Sequence, residues 1–93
     1  MGDDSSVFIG NKPFMNYVTS VVMQFTTKNA HEVTIKARGK FISRAVDVAQ
    51  VAVKRFLADQ IVIKGRTIDS EDFKNKEGRD VRVSTIEILL AKK

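Results

Sequence analysis

Between Glu32 and Arg38 the chain alternates at every residue, and to either side the spacing of its apolar residues lengthens to that of a helix. Val33, Ile35 and Ala37 fall on one side of this run and Thr34, Lys36 and Arg38 on the other, the period-2 signature of a strand with one buried face. Upstream, Phe14, Met15, Val18, Val21, Val22 and Phe25 lie within an arc of about 120° at 100° per residue, the stripe of an amphipathic helix. The opposite face, with Asn16, Thr19, Ser20, Gln24, Thr26, Thr27 and Met23, carries no charge. Pro13 falls in the first turn, where its missing N–H is harmless. Downstream, Ile42, Ala45, Val46, Ala49, Val53 and Phe56 keep helical spacing, which predicts a second helix from about Ile42 to Leu57. With Val48 and Val51 its apolar surface covers roughly half the wheel, wider than one packed face needs. The excess meets either a second subunit or a loop of the same chain.

Three further strands complete the pattern. Val7, Phe8 and Ile9 form a short apolar run that ends at Gly10. Ile61 and Ile63 open a strand that reaches about Ile68, and the last strand runs from about Val81 to Ala91. Residues 69–80 are polar, with Gly78 near their end, and read as a long hairpin tip. In the last strand Val81 and Val83 are odd while Ile86, Ile88 and Leu90 are even. A bulge near Ser84 and Thr85 would reconcile them, since one extra residue flips the pleat. The order is β-α-β-α-β-β, an α/β (α+β) two-layer sandwich: two helices on one face of a four-stranded mixed sheet, with a long hairpin arm. Residues 1–6 read as a disordered lead and 7–93 as a single domain, the size one modest core can support.

Charge narrows the function once it is located. The chain carries a net +5, but residues 7–68 hold ten Lys or Arg against Glu32, Asp47 and Asp59, whereas 69–80 hold five acids against three bases. A body this basic favours polyanions, nucleic acid before anionic membrane. No apolar run is long enough for a membrane span, and no signal peptide is evident. Met1 to Ser6 fits the loose N-myristoylation pattern, yet Asp3 and Asp4 would repel an anionic bilayer, so no membrane partner is expected. The absence of cysteine excludes disulfides and thiolate metal sites and fits a reducing compartment.

Two basic segments share one structural position. Gly10-Asn11-Lys12-Pro13 joins the first strand to the first helix, and Lys36-Ala37-Arg38-Gly39-Lys40 joins the second strand to the second helix. Parallel strands would bring both junctions, and both helix N-termini, to the same end of the sheet. Backbone N–H groups and the positive ends of two helix dipoles then face an anion there, reinforced by Lys12, Lys36, Arg38, Lys40 and Arg44. Lys36, Arg38 and Lys40 share parity and project together from an extended chain, and either glycine lets backbone approach a ligand. On the arm, Arg66 near the base and Arg79 and Arg82 on the second strand suit a ribbon entering a DNA groove. Asp69, Glu71 and Asp72 make its tip acidic, which argues against the extreme end lying along phosphates.

Catalysis has little to stand on. His31 is the only histidine and lies in a turn, Asp47 and Glu87 have no carboxylate partner, and no serine has an evident base. No Walker or G-x-G-x-x-G pattern occurs. The chain is not expected to be an enzyme, to hold a metal or cofactor, or to take a small-molecule substrate. Phe8, Phe14, Phe25 and Phe41 are assigned to the core, and the interleaving of aromatic and basic residues that marks a single-strand platform is not evident.

These residues also carry a resemblance. Ile9-Gly10-Asn11-Lys12-Pro13-Phe14-Met15-Asn16-Tyr17-Val18 resembles the IGxKPxMNYV opening of the Alba proteins, small archaeal chromatin proteins with eukaryotic relatives. Ile35 to Asp47 is similar to their IKARGxxISxAVD segment, and Gly78-Arg79 with Arg82 to Ile88 to their GR and VSTIEI terminus. The resemblance spans residues 7–92. It implies a homodimer that binds double-stranded DNA without sequence preference, and RNA as well, organising chromatin in the cytoplasm as part of a nucleoid. It implies contacts through the first loop, the KARG segment and the arm, carried by Lys12, Arg38, Lys40, Arg79 and Arg82; with Asn11 of that loop and the basic residues Lys36, Arg44 and Arg66 these form the expected nucleic-acid surface. Phe56 matches the position through which dimers pack side by side, and a heterodimer with a paralogue is a further option. Many members have a lysine, subject to acetylation, where this chain has Asn11; any such control here would run through Lys12. The arginine–glycine-rich tail of some eukaryotic members is absent. Two alternatives stay open: an RNA-directed member in RNA metabolism or a ribonucleoprotein, and a protein-interaction module whose basic face docks an acidic partner.

Overall fold

The computed structural model describes residues 5–93. The first strand, β1, spans Ser6–Phe8, α1 spans Phe14–Thr26 and β2 spans Glu32–Arg38. A single 3₁₀ turn, Gly39–Phe41, leads into α2, Ile42–Val51, which closes in a wide π-type turn, Ala52–Phe56. Strands β3, Ile61–Lys74, and β4, Asp80–Lys92, complete the order expected from the pattern. The sheet runs β1-β2-β4-β3, with β1 parallel to β2 and the other pairs antiparallel. Ser6, assigned to the lead by its sequence, pairs with Thr34 in β1. Residues 1–4, including the lipidation pattern, lie outside the described residues.

One core holds the layers together. Val33, Ile35 and Ala37 of β2 meet Val18, Val21 and Phe25 of α1 and Ala45, Val48 and Ala49 of α2, with Ile61, Ile88 and Leu90 from the antiparallel half. The largest side chains sealed from water are seven valines, leucines and isoleucines, each stabilising the fold by roughly 1.5–3 kcal/mol of transfer free energy. No polar or charged residue is buried among those described. The broad apolar surface of the second helix is explained here: Val48 is fully buried and Val51 packs on the same core, so this excess faces the chain's own sheet. Val46 and Phe56, placed on the core stripe by spacing, instead stand exposed.

The arm departs from its sequence reading in two ways. β3 continues to Lys74, so Asp69, Glu71 and Asp72 lie along a paired strand, and the tip is only Asn75 to Arg79. Asn75 organises it: its carbonyl accepts from the Gly78 N–H at 3.0 Å, and its side-chain oxygen accepts from the N–H of Glu77 and of Arg79. Gly78 sits at φ 80°, a left-handed conformation that glycine adopts without Cβ strain. The expected bulge at Ser84 and Thr85 is absent, since β4 pairs continuously with β3 through those residues. The irregularity lies instead between Ile63 and Gly65 on β3. Parity in β4 changes because the arm leaves the core: Ile86, Ile88 and Leu90 face the helices, and Val81 and Val83 face the opposite, open side of the sheet.

Candidate nucleic-acid interface

The β1–α1 loop is built around Tyr17. This side chain, one turn into α1, is buried, and its hydroxyl accepts the N–H of Gly10 at 2.9 Å and of Lys12 at 3.0 Å. The two bonds fold the loop back over the helix start and hold Asn11 and Lys12 outward, both exposed. Those two amides are therefore occupied within the chain and do not point at a ligand. What the loop offers an anion is the Lys12 ammonium beside an α1 N-terminus that has neither a side-chain cap nor an acidic residue in its first turn.

The β2–α2 junction mirrors it. Gly39 takes φ 55°, a left-handed value that suits glycine, and turns the chain from strand into the 3₁₀ start of the helix. Lys40 is consequently not an extended continuation of Lys36 and Arg38, although all three still line one groove on the open face. Lys40 is exposed at the helix start, which again has no acidic residue or side-chain cap. Arg44, one turn further, donates from Nη1 to the Lys12 carbonyl at 3.2 Å and so ties the two junctions together. Parallel pairing of β1 with β2 puts both helix N-termini at this end. Three like charges gathered beside two positive helix ends repel one another in water, and an anion placed there relieves the repulsion. Among the described residues none of Lys12, Lys40 and Arg44 has a carboxylate within ion-pair distance.

The remaining predicted cations lie elsewhere. Lys36 and Arg38 project from β2 onto the open face; Arg38 pairs with Glu71 at 2.9 Å, and the Lys36 ammonium sits 5.5 Å from the centre of the Phe8 ring. Arg82 pairs with Asp72 at 3.0 Å and Arg79 with Glu77 at 3.9 Å, all on the arm. Arg66 is exposed on β3, the edge opposite β1, and is not brought to the junctions. Phe56 is half-exposed at the wide turn that ends the second helix. Sequence reasoning missed Tyr17, since its hydroxyl partners are loop amides that no spacing rule reveals. It also placed Phe8 in the core, whereas Phe8 is 69% exposed on the open face.

Comparison with known proteins places this geometry among relatives. The family model for Alba matches residues 5–70. "DNA/RNA-binding protein Alba 1" of Archaeoglobus fulgidus is 53% identical over 90 residues, covering 97% of this chain and 98% of the relative. "DNA/RNA-binding protein Alba" of Nanoarchaeum equitans is 57% identical over 88 residues, covering 94% and 97%. The solved structure of Alba from Thermoplasma volcanium superposes with a TM-score of 0.84 at 44% identity, covering 94% of this chain and 99% of that one. ALBA1 from Trypanosoma brucei shares the fold, with a TM-score of 0.73 at 22% identity over 99% of this chain and 72% of the other.

Proposed function

The chain belongs to the Alba family, and from that premise we propose that it is a non-enzymatic protein that binds double-stranded DNA without sequence preference, as a homodimer, chiefly through phosphates. The observation that carries this reading is the pair of uncapped helix N-termini at one end of the sheet, with Lys12, Lys40 and Arg44 gathered around them and no carboxylate in ion-pair range among the described residues. Cations and helix ends grip the backbone, which is the same in every sequence. The names of the relatives, DNA/RNA-binding proteins, support nucleic acid as the partner. The arm reaches past the same end, because Asp69–Lys74 and Asp80–Ser84 pair only with each other beyond the end of β2. In this reading it flanks the duplex, with Arg79 and Arg82 toward a groove.

Dimerisation is supported by an uncovered apolar surface at the arm base. Ile68 is 78% exposed and shares a shallow depression with Ile42, one turn from exposed Val46. A second copy covering it would remove this surface from water and set two junctions along one duplex. Phe56, outward at the far end of the helix, would then join neighbouring dimers and let the protein coat and organise a chromosome. The deciding experiment is titration of two duplexes of unrelated sequence, each about 40 base pairs, across a salt series. Equal affinities with a steep salt dependence are expected; a strong preference for one sequence, or a flat response to salt, would overturn the reading. Acetylation, if it acts here, acts at Lys12, and a Lys12→Gln variant with unchanged affinity would rule it out.

A further inference from the structure

The open face of the sheet holds a groove of about 700 Å³ that meets the duplex grip only at Lys40. Phe8 and Phe41 stand on it, Val83 lines it from the arm, and Lys36, Arg38 and Lys40 rim it. Phe8 is the more exposed ring, with 69% of its surface in water. Each ring carries its own cation: the Lys36 ammonium is 5.5 Å from the Phe8 centre, and the Lys40 ammonium 5.4 Å from that of Phe41. No helix covers this side, since both pack on the face formed by Val33, Ile35 and Ala37. Aromatic faces interleaved with ammonium groups along a strand are the chemistry that stacks unpaired bases and follows their phosphates.

We propose that this groove takes unpaired bases of single-stranded RNA, with one base stacked on Phe8 and the flanking phosphates on the Lys36 and Lys40 rim. A duplex keeps its bases stacked inside and has nothing to offer Phe8, whereas loops, bulges and ends of RNA present splayed bases to aromatic side chains. Charge sorts the groove in the same sense. Glu71 and Glu87 also line it, and Glu71 holds Arg38. These two carboxylates repel phosphate and accept hydrogen bonds from base N–H groups, exocyclic amines or the ring imino of uracil, so the backbone is directed to the lysine side. Phe8 pairs with Lys36 in parallel register, which fixes ring and ammonium side by side along the path of the strand.

The test exploits the absence of tryptophan from the chain. In a Phe8→Trp variant the single indole reports stacking directly. Oligouridylate of about 12 nucleotides should quench its emission, and a DNA duplex of about 40 base pairs, bound at the same salt, should not. Phe8→Ala should weaken oligouridylate binding by about 5- to 150-fold, the range for losing one stacked base, while duplex affinity and the thermal midpoint stay unchanged. The Phe8→Trp variant should keep the single-strand affinity. Undiminished oligouridylate binding by Phe8→Ala, or an indole that ignores saturating oligouridylate, would overturn the proposal while leaving the duplex reading intact. Failure of the unaltered protein to bind duplex would count against that other reading alone.

Discussion

The two basic regions of this molecule are charged in opposite ways. At the helix junctions Lys12, Lys40 and Arg44 stand together, and among the described residues none meets a carboxylate. On the arm Arg82 is matched with Asp72, Arg79 with Glu77 and Lys74 with Asp80, and the arm's Glu71 holds Arg38 of β2, which leaves Arg66 and Lys76 without a carboxylate in ion-pair range among the described residues. These pairs are exposed, so each stabilises the fold by only about 0–1 kcal/mol. Their effect is on the field, because a matched arm projects little charge beyond its surface, while the junctions project most of theirs. In the proposed function the body is therefore the source of affinity, and the arm a weakly charged guide whose arginines would act only when their partners let go.

The strongest way to break this contrast is to reverse a charge at the junctions. Lys12→Glu should lower duplex affinity by more than about tenfold, since in the proposed dimer each substitution would take two cations off the phosphates and add two repulsions. Filter binding at moderate salt reads this, and a change below about twofold would mean that the loop does not touch the backbone. Removing the support rather than the charge should do less. Tyr17→Phe leaves the Gly10 and Lys12 amides without their acceptor and lets the loop wander. The expected outcome is a loss of several-fold in affinity with about 1 kcal/mol of stability, one hydrogen bond's net contribution, read by titration and thermal melting. Unchanged affinity with an unchanged melt would show that the loop holds its place without Tyr17.

On the arm the sign should invert. Asp72→Asn frees Arg82, so duplex affinity should rise, by up to about fivefold given the small strength of an exposed pair, and the salt dependence should steepen. A fall in affinity would mean that the pair shapes the arm for binding. Smallest of all is the tip. Gly78→Ala strains a left-handed turn by about 1 kcal/mol, yet duplex affinity should stay within about twofold, because the tip is the part furthest from the junctions. A larger loss would bring the tip onto the duplex.

Most of the fold was legible because it rests on burial, and burial writes a period into the sequence. The alternation of β2 matches its buried face, and the stripe of α1 matches apart from Met15, which stands exposed while Tyr17 beside the stripe is buried. Legibility failed where a residue's role depends on a neighbour distant in sequence. The parity change in β4 suggested a bulge, but the strand pairs straight through, since an arm beyond the core has no reason to keep its apolar residues on the core side. Phe8 lies in an apolar run, and only its register against Lys36 shows that it faces out. The candidate site was half legible. Arg44 reaches Lys12 across the two junctions, with Lys40 at the same end of the sheet, whereas Lys36 and Arg38 turn to the open face and Arg66 sits on the far edge. The acids that neutralise the arm were visible as a composition, but not as partners of particular arginines.

The central claim, that the junctions rather than the arm grip the backbone, is tested most directly by removing equal charge from each. Duplex affinity would be measured across a salt series for Lys12→Ala/Lys40→Ala and for Arg79→Ala/Arg82→Ala beside the unaltered protein. The account predicts a log–log slope shallower by about 0.9 for each phosphate that the first variant no longer neutralises, and a slope close to the unaltered one in the second. A slope preserved in the junction variant and flattened in the arm variant would contradict it and transfer the grip to the arm.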